Sequence, residues 1–558
     1  MKTIRELIEK FMYEHLEHYV AQVDEGGDDT VIYGIRALDD PEKFVYGALV
    51  NTTASLYLYY KKNGDERADK TLSALKKFIK SACSVQIKTW GKLSMLRAMA
   101  KLYKAGMLDV IPAEDIEILK EKTNYEDFFV KSEMKLIGCP TNYMHVAMAC
   151  AGFRELIGWD TEPFCDKIRD KLISIMMNGS DSGYMDEDPL MARFDRYSII
   201  VTSELSDTLE AVEREVPQSV LDNLAHAAKI SVKMANEKGD GINYGRSLSC
   251  HGDGATLEIL ASAFARGLIA DEDKDQALLY CIKITEKIFD FWYDKELRSF
   301  NIWWNGRSTN RYRQEHRVLE VNMDMANHML TTLHNFEIAG LADTLPNIDK
   351  LPSPEKWVAT PITFRKDEEQ SAETIILRRK DIMVMLPLVG LGKVYMNAAY
   401  QPYPNICGII EAAPEAKYPF LVPQYKTSDG ALYRPIQFYT DIKTESRCGR
   451  VKVTAKGKLA KLGERYPQKS EYGFEVTYKF SENDISAEFV TDLEGAEAEM
   501  LAGWHGDDFT FKATGFDSQR EEETKDVYDF KTPAGAITKA VTYTAKKSGK
   551  LSYKITLN

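Results

Sequence analysis

The sequence is short of cysteine and nearly as short of histidine, with eight and nine residues among 558. Cys83, Cys139, Cys150, Cys165, Cys250, Cys281, Cys407 and Cys448 form no Cys-x-x-Cys pair and stand at no zinc-type spacing from a histidine. Disulfides, bound metal and other cofactors are therefore not expected. No apolar run approaches the ~18 residues of a membrane span. The stretch MKTIRELIEKFMYEHLEHYV carries charges every three or four residues and no apolar h-region, which predicts a cytoplasmic location. Positive charge is also in deficit: 72 Lys and Arg face 85 Asp and Glu, a net charge of −13. Neither nucleic acid nor a membrane is then an expected partner, and an anionic substrate must be met by a local arginine cluster. Gly241, Gly245, Gly252 and Gly254 precede a helix without the G-x-G-x-x-G pattern or a Walker lysine, so a nucleotide is not expected either.

What the chain does have is helical periodicity over its first 340 residues. Apolar residues recur at i, i+3, i+4 and i+7 in 42–61, 66–81, 91–105, 142–157, 163–177, 216–236, 255–268, 272–293 and 316–339. Weaker patterns at 2–20, 113–121 and 191–213 bring the number to about twelve. Pro346, Pro352 and Pro354 then mark a linker, after which short runs of β-branched and aromatic alternation follow to the end. The expectation is a multidomain α and β protein. An (α/α) toroid of about six hairpins (1–345) is followed by a linker (346–357) and an antiparallel β-sandwich (358–558).

Four stretches concentrate polar and aromatic side chains at expected helix starts. In 139–160, Pro140-Thr141-Asn142 is a start signal, with Asn142 a cap or, with Tyr143, a sugar contact. In 181–198, Asp186, Glu187, Asp188 and Asp195 alternate with Tyr184, Arg193, Arg196 and Tyr197. Carboxylates flanked by rings suit a pyranose, which offers an apolar face to stack and hydroxyls to fix. In 241–267, Tyr244, Arg246, His251 and Asp253 precede the helix. In 300–330, Trp303, Trp304, Arg307, Arg311, Arg313, Glu315, His316 and Arg317 make the densest polar-aromatic stretch. Its indoles suit stacking and its guanidiniums suit a carboxylate. Beyond it, Glu320, Asp324 and His328 share one helix face, which a surface helix explains.

YGRSL (244–248), TNY…GFRELIGW (141–159) and GY-x-DEDP-x₄-FDRYS (183–198) resemble a bacterial family catalogued as a domain of unknown function. That family is related to gut-bacterial β-glucuronidase glycoside hydrolases with an α-toroid and a β-sandwich. The resemblance covers roughly 40–340 and implies site positions at Asn142, Tyr143, Asp186, Asp188, Asp195, Tyr197, Tyr244 and Arg246. The chain departs from the pattern at Tyr143, where tryptophan is usual, and at Cys250-His251, where the family has Tyr-Arg.

Two chemistries fit. A glycoside hydrolase releasing β-linked glucuronic acid would pair two carboxylates, from Asp186, Asp188, Asp195 and Glu315. The uronate would be held by Arg246, Arg313 and Arg317, with Asn142, Tyr143, Tyr197, Asp253, Trp303, Trp304 and His316 around it. A lyase would neutralise the uronate with Asn142 and Arg246 and use Tyr244 or His251 as base. The expected partner is a uronic-acid-containing carbohydrate, and a homo-oligomer is left open. With no compact ligand set, prolonged chelation is expected to leave turnover unchanged; activity lost to a chelator and restored by a divalent cation would contradict this.

Overall fold

The computed structural model describes the chain except residues 188–190, 310–312, 349–353, 392–397, 415, 464–465, 508 and 558. The twelve expected α-helices are present: α1 (Ile4–Gly26), α2 (Phe44–Lys62), α3 (Arg67–Ser84), α4 (Thr89–Lys104), α5 (Ala113–Lys122), α6 (Tyr143–Leu156), α7 (Cys165–Gly179), α8 (Arg196–Ala211), α9 (Gln218–Met234), α10 (Cys250–Ala265), α11 (Lys274–Lys287) and α12 (Val318–Ile338). The packing separates even from odd. Helix α2 packs on α4, α4 on α6, α6 on α8, α8 on α10, α10 on α12, and α12 back on α2, which closes an inner ring. The odd-numbered helices pack outside it, as α3 does on α2, α7 on α6 and α9 on α8.

Composition explains the two layers. Inner helices are buried on nearly all faces: α2 and α10 are apolar or small along most of their length. Outer α3 has the single apolar stripe of a surface helix, buried at Ala68, Thr71, Ala74, Leu75, Phe78, Ile79 and Ala82. The ring closes tightly at one crossing. A Cβ on Gly47 of α2 would lie 2.0 Å from the carbonyl oxygen of Gly91 on α4, so only glycine fits there.

Strands take over at Val358, and the ladders are antiparallel. Val358–Arg365, Ala372–Arg379 and Ile382–Leu388 make a three-stranded sheet. A second sheet has eleven strands, with the long strands Arg450–Lys461 and Gln468–Ser481 near its middle. The antiparallel pairing is as expected; its distribution over one three-stranded and one large curled sheet is not readable from alternation alone. The expected linker, 346–357, lies partly outside the described residues. Among the described residues, no helix is long and apolar enough to cross a membrane, and all eight thiols are unpaired.

The two units meet at several places, among them the loop segments 181–187 and 191–195 of the helical unit. Asp181 N–H donates to Phe364 O at 2.9 Å, and Gly390 N–H to Ala192 O at 2.9 Å. Arg365 Nη2 donates to Asp186 Oδ2 at 3.0 Å, and the rings of Phe194 and Phe364 stack 4.8 Å apart. Replacing Gly47 by alanine forces α2 and α4 apart and is expected to cost about 1–3 kcal/mol. The measurement is a lowered urea midpoint at unchanged m-value.

Candidate active site

The inner ring surrounds a cavity of about 810 Å³. At one end it is lined by residues from the N-terminal turns of the ring helices and the loops before them. Trp90, Asn142, Tyr143, Arg196, Tyr197, Arg246, His251, Arg313, Arg317 and Glu320 are all there. Seven residues singled out from the sequence, Asn142, Tyr143, Tyr197, Arg246, Arg313 and Arg317 as substrate contacts and His251 as a candidate base, thus converge on one space.

The turn Tyr244–Ser249 builds this mouth. Gly245, Ser247 and Ser249 have φ of +90°, +54° and +70°, a sharply folded path. A Cβ on Gly245 would lie 2.7 Å from Asp195 Cβ, so this glycine is required. The path points Ser247 at the cavity residues: Tyr197 Oη donates to Ser247 Oγ at 2.8 Å, and Arg313 Nε donates to the same oxygen at 3.4 Å. Arg313 Nη1 donates to His251 Nε2 at 3.1 Å. Guanidiniums lie over the Tyr197 ring, Arg246 at 4.1 Å and Arg196 at 4.7 Å. Burial works to raise the Tyr197 phenol; Arg196, Arg313, Arg246 and the Ser247 hydrogen bond outweigh it and bring it down to about 8. Burial, reinforced by Arg313 and Arg196, holds His251 neutral, well below the usual imidazole range.

Asn142 stands at the cap position of α6 but makes no capping bond. Its Oδ1 is buried and lacks a partner among the described residues, which leaves it to a ligand. Tyr143 meets Trp90 edge to face at 5.9 Å, an aromatic wall that the sequence reading did not find because Trp90 stands outside the four stretches.

The expected carboxylate pairs are not in this cavity. Asp186 and Asp195 lie in the seam with the β unit. Asp186 accepts from Arg365 and from Ala192 N–H. Asp195 caps α8, accepting from Tyr197 N–H at 2.9 Å and from Tyr400 Oη at 2.5 Å. Aromatics flank this acidic loop because it is packed between two units, not because it faces sugar. Glu315 is solvent-exposed in the turn before α12, and Asp188 lies outside the described residues, as does Arg311. Tyr244 donates to Phe194 O at 2.6 Å and is sealed in the same seam. Helix α10 begins at Cys250 rather than near Ala255, which places Asp253 in its first turn. There it accepts from Gly241 N–H and Trp292 Nε1 and pairs with Lys287 Nζ at 2.9 Å, so it is structural. Trp303 donates to the carbonyl of Arg313 and braces that arginine from behind, while Trp304 meets Tyr33 edge to face. Neither indole nor His316 lines the cavity.

Glu187, absent from the expected set, anchors the mouth. It pairs with Arg193 Nη2 at 2.5 Å and with Arg246 Nη2, and it is fully buried. Glu320, Asp324 and His328, which a surface helix would also have explained, line the cavity. His328 is held between Glu258 at 2.6 Å and Asp324 at 3.4 Å. Burial disfavours its charge, and these two carboxylates overcome that and raise it well above the usual imidazole range. Glu204, on α8 and also in the cavity, is pushed up to about 7 by burial and by Glu258. No group of three or more His, Cys, Asp or Glu able to hold a metal ion occurs among the described residues.

No family model matches the sequence, and no curated protein matches it significantly. Among solved structures, the chain is similar to a Streptomyces coelicolor A3 chondroitin AC lyase in complex with chondroitin sulphate. The identity is 10%, with 98% of this chain and 78% of that one covered, at a TM-score of 0.46. It is similar to heparinase III at 10% identity, over 99% of this chain and 85% of that one, with a TM-score of 0.47. A glycosyl hydrolase family 88 protein from Bacteroides vulgatus matches 57% of this chain and 99% of its own, at 9% identity and a TM-score of 0.36.

The cation set around Tyr197 is directly measurable. An alkaline ultraviolet titration is expected to show a phenol with a midpoint near 8 that is missing from Tyr197→Phe. Arg313→Gln removes a cation that favours the phenolate, so it is expected to move that midpoint upward; an unmoved midpoint would show that Arg313 does not act on the phenol.

Proposed function

We propose that this chain is a carbohydrate-active enzyme that cleaves a uronic-acid-containing glycan by β-elimination, with Tyr197 moving the proton. The carrying observation is a phenol of lowered affinity for its proton, set among Arg196, Arg246 and Arg313 in a cavity it shares with neutral His251 and Asn142. A uronate carboxylate at this mouth is neutralised by the guanidiniums, which acidifies the C–H on the adjacent carbon. The Tyr197 phenolate takes that proton, the C–H electrons form a C=C bond, and the glycosidic C–O bond breaks. The phenol then stands beside the departing oxygen and returns the proton to it. Asn142 and His251 orient the carboxylate, and Trp90 with Tyr143 offers a face to the ring.

Hydrolysis of a β-linked uronide is a second reading, favoured by Glu204. A carboxyl that keeps its proton near neutrality suits a general acid, and Asp324, held ionised in the same cavity, suits its partner. The products separate the two. Elimination leaves a conjugated double bond that absorbs in the near ultraviolet, and hydrolysis does not.

On uronate oligosaccharides, near-ultraviolet absorbance is expected to grow with turnover. Tyr197→Phe is expected to lower kcat by about 10²–10⁴-fold. Matched neutral glycans have no carboxyl group to acidify the C–H and are expected to give no absorbance; under hydrolysis they are expected to react more slowly by about one to two orders of magnitude in kcat/KM, the contribution of a charge-assisted pair. Reducing ends released without absorbance would establish hydrolysis, and equal rates on neutral and acidic substrates would overturn the uronate reading.

A further inference from the structure

The cavity does not end at the mouth. Its lining continues along the ring helices to Arg97 and Lys101 on α4, Glu204 and Asp207 on α8, Glu258 on α10, and Asn327 and His328 on α12. Arg97 is seven residues past Trp90, or roughly 10 Å deeper along the helix axis. Most charged groups in this inner section are hydrogen-bonded or ion-paired by their neighbours. His328 is clamped by Glu258 and Asp324. Asp207 pairs with Arg266 at 2.9 Å and accepts from Ser262 and Asn335. Lys101 donates to Asn51 at 2.9 Å, Ser55 at 2.8 Å and Asn327 at 3.4 Å.

Arg97 is different. It lines the cavity half-buried and makes no hydrogen bond or ion pair among the described residues. A guanidinium in such a place loses water without gaining a carboxylate, and an oxyanion on a ligand offers the bidentate partner it lacks. Glu204, in the same section, has no cationic partner within ion-pair distance among the described residues. It lies 3.4 Å from Nδ1 of His145, an imidazole that burial, with Arg97, pushes down to about 3. His145 Nε2 faces the Glu204 carbonyl at 3.1 Å and Thr208 Oγ1 at 3.0 Å. With the ring proton on Nε2, Nδ1 is an acceptor toward the Glu204 carboxyl.

We propose that Arg97 anchors a second, deeper subsite for an oxyanion carried by the same glycan, a sugar carboxylate or sulfate ester beyond the reacting uronate, and that the charge state of Glu204 gates it. An ionised Glu204 would compete for Arg97 and repel the incoming anion; a neutral one does neither. The groups that set this charge lie on four of the other ring helices and on its own: His145 on α6, Glu258 on α10, Arg97 on α4, His328 on α12, and Arg196 on α8. Burial and Glu258 keep the proton on, and the three cations oppose them, which leaves the balance near pH 7. The anion occupies the site in the protonated state, so affinity falls as pH rises through that region.

This subsite rests on the uronate reading above, and the test separates the two. In the Tyr197→Phe protein, whose turnover is expected to be slowed by about 10²–10⁴-fold, calorimetric binding of a uronate disaccharide is compared with that of a tetrasaccharide of alternating uronates, at pH 6 and pH 8.5. The tetrasaccharide is expected to bind more tightly at pH 6 and to lose much of that gain at pH 8.5. Adding Arg97→Gln is expected to weaken the tetrasaccharide by roughly ten- to a hundredfold at pH 6 and leave the disaccharide unchanged. Arg97→Lys keeps a cation and is expected to retain part of the gain. Glu204→Gln, neutral at every pH, is expected to hold the tetrasaccharide equally well at both pH values. A disaccharide that fails to bind sinks the uronate reading itself. A disaccharide that binds, with a tetrasaccharide indifferent to Arg97, sinks the deep subsite alone. A pH dependence that survives Glu204→Gln removes the gate. A sulfated tetrasaccharide bound through Arg97 in preference to the uronate one identifies the anion as sulfate.

Discussion

Two carboxylates and two guanidiniums sealed between the helical ring and the sheets hold the site in shape. Glu187 takes Arg193 and Arg246, one on each oxygen. Asp195 lies 3.5 Å from Arg246 Nε and accepts from Tyr400. The Tyr400 hydroxyl in turn accepts from Arg246 N–H at 3.2 Å. An unpaired ion at this depth would cost several kcal/mol, so the set is tolerable only when complete. Completion requires three separated pieces of chain to meet: the loop 181–195, the turn at Tyr244–Ser249 and the segment Ala398–Tyr400 of the β unit. The orientation of Arg246 over the Tyr197 ring, and with it the chemistry of the phenol, follows from that meeting.

The overall charge of −13 and the cationic mouth are two sides of one design. A general positive field would attract polyanions of every kind. Confining the guanidiniums to the first turns of the ring helices makes the attraction local and shape-dependent, while the acidic exterior repels whatever does not enter. Further in, Asp207 with Arg266 is a neutral pair, and His328 with its two carboxylates is net negative. The polarity of the cavity therefore changes with depth: strongly cationic at the mouth, then mixed, with Arg97 and Lys101 set among carboxylates.

The helical half of the fold was legible because helix α-periodicity is local. Each of the twelve helices shows its buried stripe within its own residues, and boundaries differ by a few residues at most places. Strands such as Arg450–Lys461, Gln468–Ser481 and Asp484–Thr491 were legible from their alternation, while Val358–Arg365, interrupted by Pro361, and Glu497–Trp504, buried on both faces over its second half, were not. Nor were short ones such as Gln424–Lys426, since three residues carry no period. At the site, Asn142, Tyr143, Tyr197, Arg246, Arg313 and Arg317 were found because helix starts in a ring face the axis. The carboxylates were misplaced for a physical reason: Asp186 and Asp195 sit in a loop whose aromatic company comes from a packed seam, and seam and sugar site have the same composition. Asp324 and His328 look like surface residues by spacing, and only ring closure turns their face inward. Tyr400 lies far along the chain in a segment without periodicity, and nothing local marks it.

The loop 181–195 has a thermodynamic corollary. It gives Asp195 to α8 as a cap, accepts Phe364 as a stacking partner and takes Arg365 on Asp186, so it belongs to both units at once. Opening the ring would strip the three-stranded sheet of its contacts with Phe194 and Asp186, and melting the sheets would orphan Asp195 and Glu187. The seam contacts therefore couple the stability of the helices to that of the sheets, each unit losing part of its own stabilisation when the other opens.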